Sequence, residues 1–373
     1  MIRSALALTA LTVSTGVAQA GGIDRSGTPI DIIFEEGNYA TLSYGYADPS
    51  LTGVDREGAN VRNIAAGFGL VGVALKLDIA ENVSLAFILD EPYGVDVEYG
   101  PESAVLGGTL ADAESYGITT LVRYQATDRI SVYGGPRFVR AKGQINLGGS
   151  AYVLNGYESN FASDTGTGYV IGAAYEIPDI AFRAALTYHS EIDLSFDTTE
   201  TFPASAASIP FPLPTGVPVP TGTTNTTLPQ SIKLAVQSGI ATDTLVFGSV
   251  RWVDHDVFMV IPPVFPENLA SLDSSITYEL GIGRRFSERF SARASVIYED
   301  VLADDLVSPL TPTSGFTALS IGGQYQLTEA LDISGGIRYT WLKDATAEVS
   351  DSVVGEFRNN DVVSFGLKLG VRF

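Results

Sequence analysis

The chain has 373 residues, a formal net charge of −21 and no cysteine. The lack of cysteine excludes a disulfide scaffold, a thiolate metal site and a cysteine nucleophile. A charge of this sign and size repels a phosphate backbone, which argues against a nucleic-acid partner. The 45% hydrophobic content, with 39 glycines, 17 tyrosines and 18 phenylalanines, is typical of β-barrels and β-propellers.

Residues 1–20 carry the three parts of a secretory signal peptide. Arg3 supplies the positive charge, ALALTALTVSTGV the apolar region, and AQA at 18–20 the small-residue cleavage site. An N-terminal membrane anchor is the alternative, but the apolar run is short and contains Thr and Ser. No later stretch reaches the roughly 18 uninterrupted apolar residues of a membrane-spanning helix. We therefore expect an exported chain that starts at Gly21.

The C-terminal stretch VVSFGLKLGVRF shows a pattern that recurs from residue 38 onward. Val363, Phe365 and Leu367 alternate with small or charged residues, and this period of two is typical of a β-strand. Turn residues separate the segments of this kind. About fourteen strands are predicted, at 38–48, 64–79, 82–98, 113–126, 130–143, 166–177, 181–197, 229–242, 244–256, 275–286, 290–302, 315–328, 330–344 and 361–373.

The connections between these segments alternate in length. Six are tight, among them ATDR at 126–129 and FSER at 286–289. Short periplasmic turns and long outer loops are typical of outer-membrane barrels, whereas a soluble sandwich or propeller gives no reason for such sorting. The prediction is an all-β fold, a transmembrane antiparallel β-barrel of about fourteen strands. The seven long connections are 49–63, 99–112, 144–165, 198–228, 257–274, 303–314 and 345–360.

A closed barrel in a membrane places alternate side chains in lipid and in the lumen. The apolar side chains of each segment should therefore face lipid. An even strand number leaves both chain ends on the periplasmic side, so Phe373 should lie at the periplasmic rim. A terminal aromatic residue there suits the signal that the barrel-assembly machinery reads. We expect a monomer in the bacterial outer membrane, in contact with its lipid and lipopolysaccharide.

Several stretches resemble the FadL-type family (OMPP1/FadL/TodX) of outer-membrane transporters for long-chain fatty acids and other hydrophobic compounds. The longest, GTGYVIGAAYEIPDIAFRAALTYHSEIDLSF at 166–196, resembles the family's Gly-aromatic strand, short turn, and strand ending in aromatic-basic-Ser-x-Ile. LPQSIKLAV from Leu228, VRWVDHDVF from Val250 and DEPYGVDVEY at 90–99 resemble three further strand segments. The resemblance implies capture by outer loops, movement of a plug and lateral release into the bilayer.

The same resemblance implies an N-terminal plug inside the barrel. Members of the family usually have a longer plug with an Asn-Pro-Ala segment, a tripeptide that this sequence lacks. The candidate plug is the short segment 21–37, GGIDRSGTPIDIIFEEG, and the barrel follows at 38–373. Arg25 and Phe34 of this segment are predicted to take part in gating.

Loop 198–228 is unusually apolar for an exposed loop. It contains six prolines between Pro203 and Pro220, which favour extended, polyproline II-like chain. Because an exposed apolar surface commonly marks a binding site, the loop is predicted to dock substrate together with loop 144–165. The alternative is that its side chains fold inward and fill the mouth of the barrel. The predicted docking residues are Phe202, Ile209, Phe211, Leu213 and Val217.

Pro92 lies in the middle of a predicted strand, and Gly94 follows it closely. Proline donates no hydrogen bond to a strand neighbour, so within a sheet it belongs at an edge, a bulge or a kink. The two residues should interrupt pairing and open a hole in the barrel wall. By the resemblance, this hole is the lateral exit. An ordinary bulge near the rim is the alternative.

The carboxylate of a fatty acid would require cations in the lumen. By strand parity four basic residues point inward and are predicted to bind it, although ion pairs that cross and stiffen the lumen are an equally good explanation. These residues are Lys233, Arg251, Arg293 and Arg338.

No residue pattern indicates an enzyme. The sequence has no nucleophile elbow, phosphate-binding loop or dinucleotide fingerprint. Ser190 and His189 are adjacent in a strand and point oppositely, and His189 and His255 are too far apart to suggest a metal pair. We expect no cofactor and no metal. The function predicted is passive uptake of a hydrophobic substrate such as a long-chain fatty acid. The alternative is a general porin for small polar solutes.

Overall fold

The computed structural model describes residues 23–204, 215–265, 267–270, 272–303 and 306–373. The predicted signal peptide lies outside these residues. Within them, fourteen antiparallel strands form one barrel. They are β1 (Tyr39–Ser50), β2 (Phe68–Ala80), β3 (Val83–Asp90 and Gly94–Glu98), β4 (Leu110–Gln125), β5 (Ile130–Leu147), β6 (Tyr157–Ile177), β7 (Phe182–His189 and Ile192–Thr201), β8 (Val219–Leu228 and Ser231–Ala241), β9 (Thr244–Val253), β10 (Ser275–Arg285), β11 (Phe290–Val301), β12 (Gly315–Gln326), β13 (Leu331–Leu342) and β14 (Asp361–Arg372).

The barrel closes because β14 pairs with β1. The register runs from Tyr39 opposite Arg372 to Ser50 opposite Asp361. The amide of Phe373 donates to the carbonyl oxygen of Asn38 at 3.1 Å, which places the last residue beside the start of β1. The predicted fold class and the strand number of about fourteen are therefore confirmed.

The two faces of the wall have the predicted character. On β14, Val363, Phe365 and Leu367 are exposed while Ser364 is fully buried. Exposed aromatic residues lie near both ends of the apolar band, as is typical of outer-membrane barrels. Those near the short turns are Tyr124, Tyr175, Phe286, Phe290, Tyr325 and Phe373, and those nearer the long loops are Tyr116, Phe138, Tyr169, Tyr278, Tyr298, Tyr339 and Trp341.

The long loops are more ordered than the sequence predicts. A second sheet of five short strands combines three different loops and covers part of the barrel mouth. The predicted loop 198–228 is also partly strand, since the upper parts of β7 and β8 pair up to Glu200 opposite Val219. The strands of the second sheet are Gly53–Asp55, Asn60–Val61, Leu306–Val307, Ala345–Val349 and Ser352–Phe357.

Residues 23–37, hereafter the N-terminal segment, lie inside the barrel. Their 3₁₀ helix Ile30–Phe34 packs on inward-facing residues of the wall, including Tyr133 and Leu121. Other 3₁₀ helices in the described part of the chain include Pro178–Ile180 in a short turn and His255–Val257 in a long loop. Among the described residues, no helix has the length and apolarity that crossing a membrane requires.

Candidate functional site

Strand β3 is interrupted at residues 91–93. Its lower part pairs with β2 up to Leu89 opposite Val73, and its upper part pairs with β4 from Gly94 opposite Glu114. Above Val73, the amide of Val71 donates to the carboxylate of Glu91 at 2.9 Å, so a side chain takes the place of a backbone partner. Pro92 lies at the centre of this break in β3, as its missing amide hydrogen predicts.

The break lies at the upper edge of the lipid-facing band. Below it, Leu89 and its partner on β4, Ile118, are exposed apolar residues. Above it, the exposed positions carry charge, with Asp96 and Asp112 directly opposite each other across β3 and β4. An opening at this height would therefore connect the barrel interior with the outer part of the lipid layer.

The N-terminal segment covers the break from inside. The amide of Arg25 donates to the carbonyl oxygen of Pro92, and the amide of Gly94 donates to that of Ile23, both at 2.8 Å. The guanidinium of Arg25 lies 4.2 Å from the centroid of the Phe68 ring. A Cβ atom on Gly94 would be 2.5 Å from Cζ of Arg25, so glycine is needed for this close approach. Four carboxylates act on this guanidinium electrostatically, those of Glu91, Asp96, Asp112 and Glu114.

An ion pair anchors the same segment to the opposite wall. Asp24 Oδ2 lies 2.6 Å from Nη1 of Arg251 and 3.9 Å from Nε2 of His255. The side chains of Asp24 and Arg251 are only 4% and 15% exposed. Burial acts to raise the pKa of Asp24, but Arg251 and His255 together hold it below the usual value. Asp24 is thus a buried carboxylate kept ionised by its partners.

The rest of the segment is held by polar and aromatic contacts. Ser26 and Thr28 donate to Asp90 at 2.5 and 2.9 Å, just below the break. The guanidinium groups of Arg123 and Arg183 lie 4.8 and 4.3 Å from the centroid of the Phe34 ring. Phe34, predicted as a gating residue, therefore makes two cation–π contacts with the barrel wall at the lower end of the segment.

An apolar cavity of about 100 Å³, hereafter the inner cavity, ends at the break in β3. Ile23, Tyr93 and Gly94 form its end at the break, so the N-terminal segment contributes directly to its lining. One basic residue is found along its described lining, Lys142, and that residue is paired with Glu114 at 2.8 Å. The wall and loop residues that make the cavity apolar include Ala111, Phe161, Phe196, Leu228, Val260 and Leu310.

A larger space of about 310 Å³, hereafter the outer groove, lies among the long loops. Tyr152, Phe265 and Leu306 give it apolar walls, and Leu310 lines both this groove and the inner cavity. Its charged lining residues, within the described part of the chain, are all acidic. They are Glu267, Glu348 and Asp351.

The predicted docking residues do not lie together on one exposed surface in the described chain. Phe202 is only 2% exposed, and its ring centroid is 5.4 Å from that of Tyr157, so it folds inward. Val217 is 56% exposed. Ile209, Phe211 and Leu213 lie outside the described residues. Phe202 therefore packs as the alternative prediction, an inward-folded loop, describes. A buried aromatic ring removes more apolar surface from water than an exposed one does.

The predicted lumen cations all face inward but separate into two groups. Arg251 is paired with Asp24, whereas Lys233 and Arg293 line a polar cavity on the β8–β11 side of the lumen. Arg338 interacts electrostatically with Glu279 of this second group. None of the four lines the inner cavity or the outer groove. No cluster of three or more metal-ligating side chains is found in the described chain.

Sequence reasoning missed the residues that connect these parts. Ile23 and Asp24 precede the predicted gating residue Arg25, and only their partners 92–94 and Arg251 reveal their importance. Leu310 lies in a loop without any motif. The nearest signal in the sequence was Asp24, an acidic residue directly beside Arg25 in a short segment.

The sequence matches the model of the family described as outer membrane protein transport protein (OMPP1/FadL/TodX) over residues 38–373. It is 21% identical over 323 residues to outer membrane protein P1 of Haemophilus influenzae, with 76% of this chain and 68% of that protein covered. The fold is similar to that of a Pseudomonas aeruginosa FadL homologue, with a TM-score of 0.75, 14% identity and 93% of each chain covered. It is also similar to the P. putida toluene transporter TodX, with a TM-score of 0.67, 13% identity, and 93% of this chain and 92% of that one covered. The chain therefore belongs to this family of outer-membrane transport proteins, which are channels for hydrophobic compounds and not enzymes.

Proposed function

We propose that the chain takes up compact, uncharged hydrophobic compounds and releases them sideways through the break in β3. The observation that carries this proposal is the position of the inner cavity. Leu310 lines both the inner cavity and the outer groove, and Tyr93 and Gly94 line the inner cavity at the break in β3. An apolar solute that passes from the outer groove into the inner cavity leaves water there, which lowers its free energy.

Release requires the N-terminal segment to move. In the closed arrangement the backbone of Ile23 and Arg25 hydrogen-bonds to the backbone on both sides of Tyr93, and the Arg25 side chain occupies the space beside Gly94. A solute in the inner cavity touches Ile23, so its binding and the position of the segment are coupled. No energy source enters this scheme, because the solute partitions into lipid down its own gradient.

The charges along the route favour an uncharged solute over a fatty-acid anion. The outer groove has three carboxylates and no lysine or arginine in its described lining. At the exit, three carboxylates, those of Asp96, Asp112 and Glu114, lie near two cations, Arg25 and Lys142. A carboxylate that enters this route meets repulsion at both ends and would have to lose its hydration in the apolar cavity.

The volume of the inner cavity also favours a compact, uncharged hydrophobic compound as substrate. Benzene occupies an engineered apolar cavity of about 150 Å³, so a cavity of about 100 Å³ is comparable in size to one aromatic ring. The similarity to a toluene transporter supports a monoaromatic hydrocarbon as substrate. Long-chain fatty acids, expected from the sequence, are the second candidate, supported by the similarity to a FadL homologue.

Uptake of radiolabelled toluene and oleate by cells with and without the protein tests the proposal. We expect production of the protein to accelerate toluene uptake and to leave oleate uptake unchanged. Faster oleate uptake would favour the fatty-acid candidate. A large steady conductance in planar bilayers without uptake of either compound would contradict the proposal and favour a general porin.

A further inference from the structure

A second cavity, hereafter the lumen cavity, lies on the opposite side of the barrel from the β3 break. It has a volume of about 90 Å³ and is enclosed by β7 to β11 together with Asp31 of the N-terminal segment. It shares no lining residue with the inner cavity. The two spaces are therefore chemically and spatially distinct.

Positive charge exceeds negative charge around the lumen cavity. Its described lining contains Arg183, Lys233 and Arg293 but only two carboxylates, Asp31 and Glu279. Arg338 adds a fourth cation, since both Arg293 and Glu279 act on it electrostatically. Its buried Nε has no hydrogen-bond partner among the described residues. The described lining thus holds three cations and two carboxylates, in a chain whose overall charge is −21.

The strand register places a further cation, Arg251, next to Lys233. Lys233 is directly opposite Arg251 across β8 and β9, and like charges in this position destabilise a sheet. The carboxylate of Asp24 neutralises Arg251 at 2.6 Å. Lys233 faces the lumen cavity, where a bound anion would offset its charge.

The cavity also has an aromatic wall. The Arg293 guanidinium lies 5.7 Å from the centroid of the Phe247 ring. A Cβ atom on Gly281 would collide with this ring, so glycine leaves the room that Phe247 occupies. A planar apolar surface beside several fixed donors suits an anion with a flat organic body.

From this geometry we infer that the lumen cavity binds a small organic carboxylate. Lys233 and Arg293 donate to the carboxylate oxygens, and Phe247 packs on the organic part. The site is separate from the route for hydrophobic compounds, so a result against one is not a result against the other.

Binding of radiolabelled benzoate to the detergent-purified protein tests the inference, with benzyl alcohol as the uncharged comparison. We expect benzoate to bind and benzyl alcohol not to bind. Arg293→Gln should raise the Kd for benzoate about tenfold or more, because a charge-assisted hydrogen bond is lost. Arg358→Gln, which alters an exposed ion pair with Glu356 in an outer loop, should leave the Kd unchanged.

A second variant keeps the test decisive if Arg293→Gln fails to fold. Glu279→Gln removes a competing carboxylate and retains all four cations, so it should lower the Kd for benzoate. Absence of benzoate binding, an unchanged Kd in Arg293→Gln, or a raised Kd in Glu279→Gln would each overturn the inference. Toluene uptake measured on the same variants reports separately on the hydrophobic route.

Discussion

Replacing Asp24 by asparagine tests how the N-terminal segment is held closed. The change keeps the size of the side chain but removes its charge, so Arg251 loses the carboxylate that lies 2.6 Å from it. Removing one member of a buried ion pair costs about 3–5 kcal/mol, because the other charge stays buried without compensation. Both side chains are largely buried, so solvent screening reduces this value little.

A loss of about 3 kcal/mol shifts the ratio of open to closed segment by roughly 150-fold. We expect Asp24→Asn to show many more open events in planar-bilayer recordings and faster toluene uptake than the unchanged protein. Glu356→Gln is the matched control. It breaks a pair of similar length, 2.9 Å, whose side chains are 59% and 52% exposed, and such pairs contribute at most about 1 kcal/mol.

The double variant Asp24→Asn/Arg251→Gln separates the charge from the shape of the contact. It also removes the cation that Asp24 neutralises, so part of the closed population should return. If Asp24→Asn matches the unchanged protein in both conductance and uptake, the ion pair does not hold the segment and the reasoning is wrong.

Three further predictions follow from the same geometry. Ala111→Phe fills the inner cavity and should reduce toluene uptake at least about tenfold, with a stability cost of about 1–3 kcal/mol. Ile118→Phe, on the lipid face of the same strand, is the control and should change neither uptake nor stability. Equal uptake in the two variants would contradict the route. Pro92→Val supplies the missing amide and should slow uptake without loss of assembled barrel; unchanged uptake would remove the lateral exit. Since the pKa of Asp24 is lowered from about 3.8, its ionised form stabilises the closed state above that pH and is lost as the pH falls through the lowered value. The conductance difference between Asp24→Asn and the unchanged protein should therefore be constant from pH 7 to about 5 and disappear only in strong acid.

The wall of the barrel was readable from the sequence because lipid imposes one rule on every strand. Alternate side chains must be apolar, and every backbone group must be paired. The alternation from Val363 to Val371 therefore indicated which face of the strand points outward, without any knowledge of neighbouring strands. The break at Pro92 was equally readable, since a proline ring interrupts pairing wherever it lies in a strand.

The interior followed no such rule. The direction of Phe202 depended on Tyr157, 45 positions earlier in the chain, and the groove came from other loops than the proline-rich one. Parity predicted that Arg251, Lys233 and Arg293 face inward. It did not predict that the first would be neutralised by Asp24 while the other two share a separate cavity.

The sequence alone thus determined the strand number, the face that meets lipid, the side of the long loops and the weak point of the wall, because each depends on local periodicity or on one residue type. Only the tertiary structure decided what fills the barrel. Asp24 and Arg251 are 227 positions apart and meet only when β14 closes on β1. The circumference and register of the whole barrel determine which residues meet across the lumen, and both exist only after the barrel has closed.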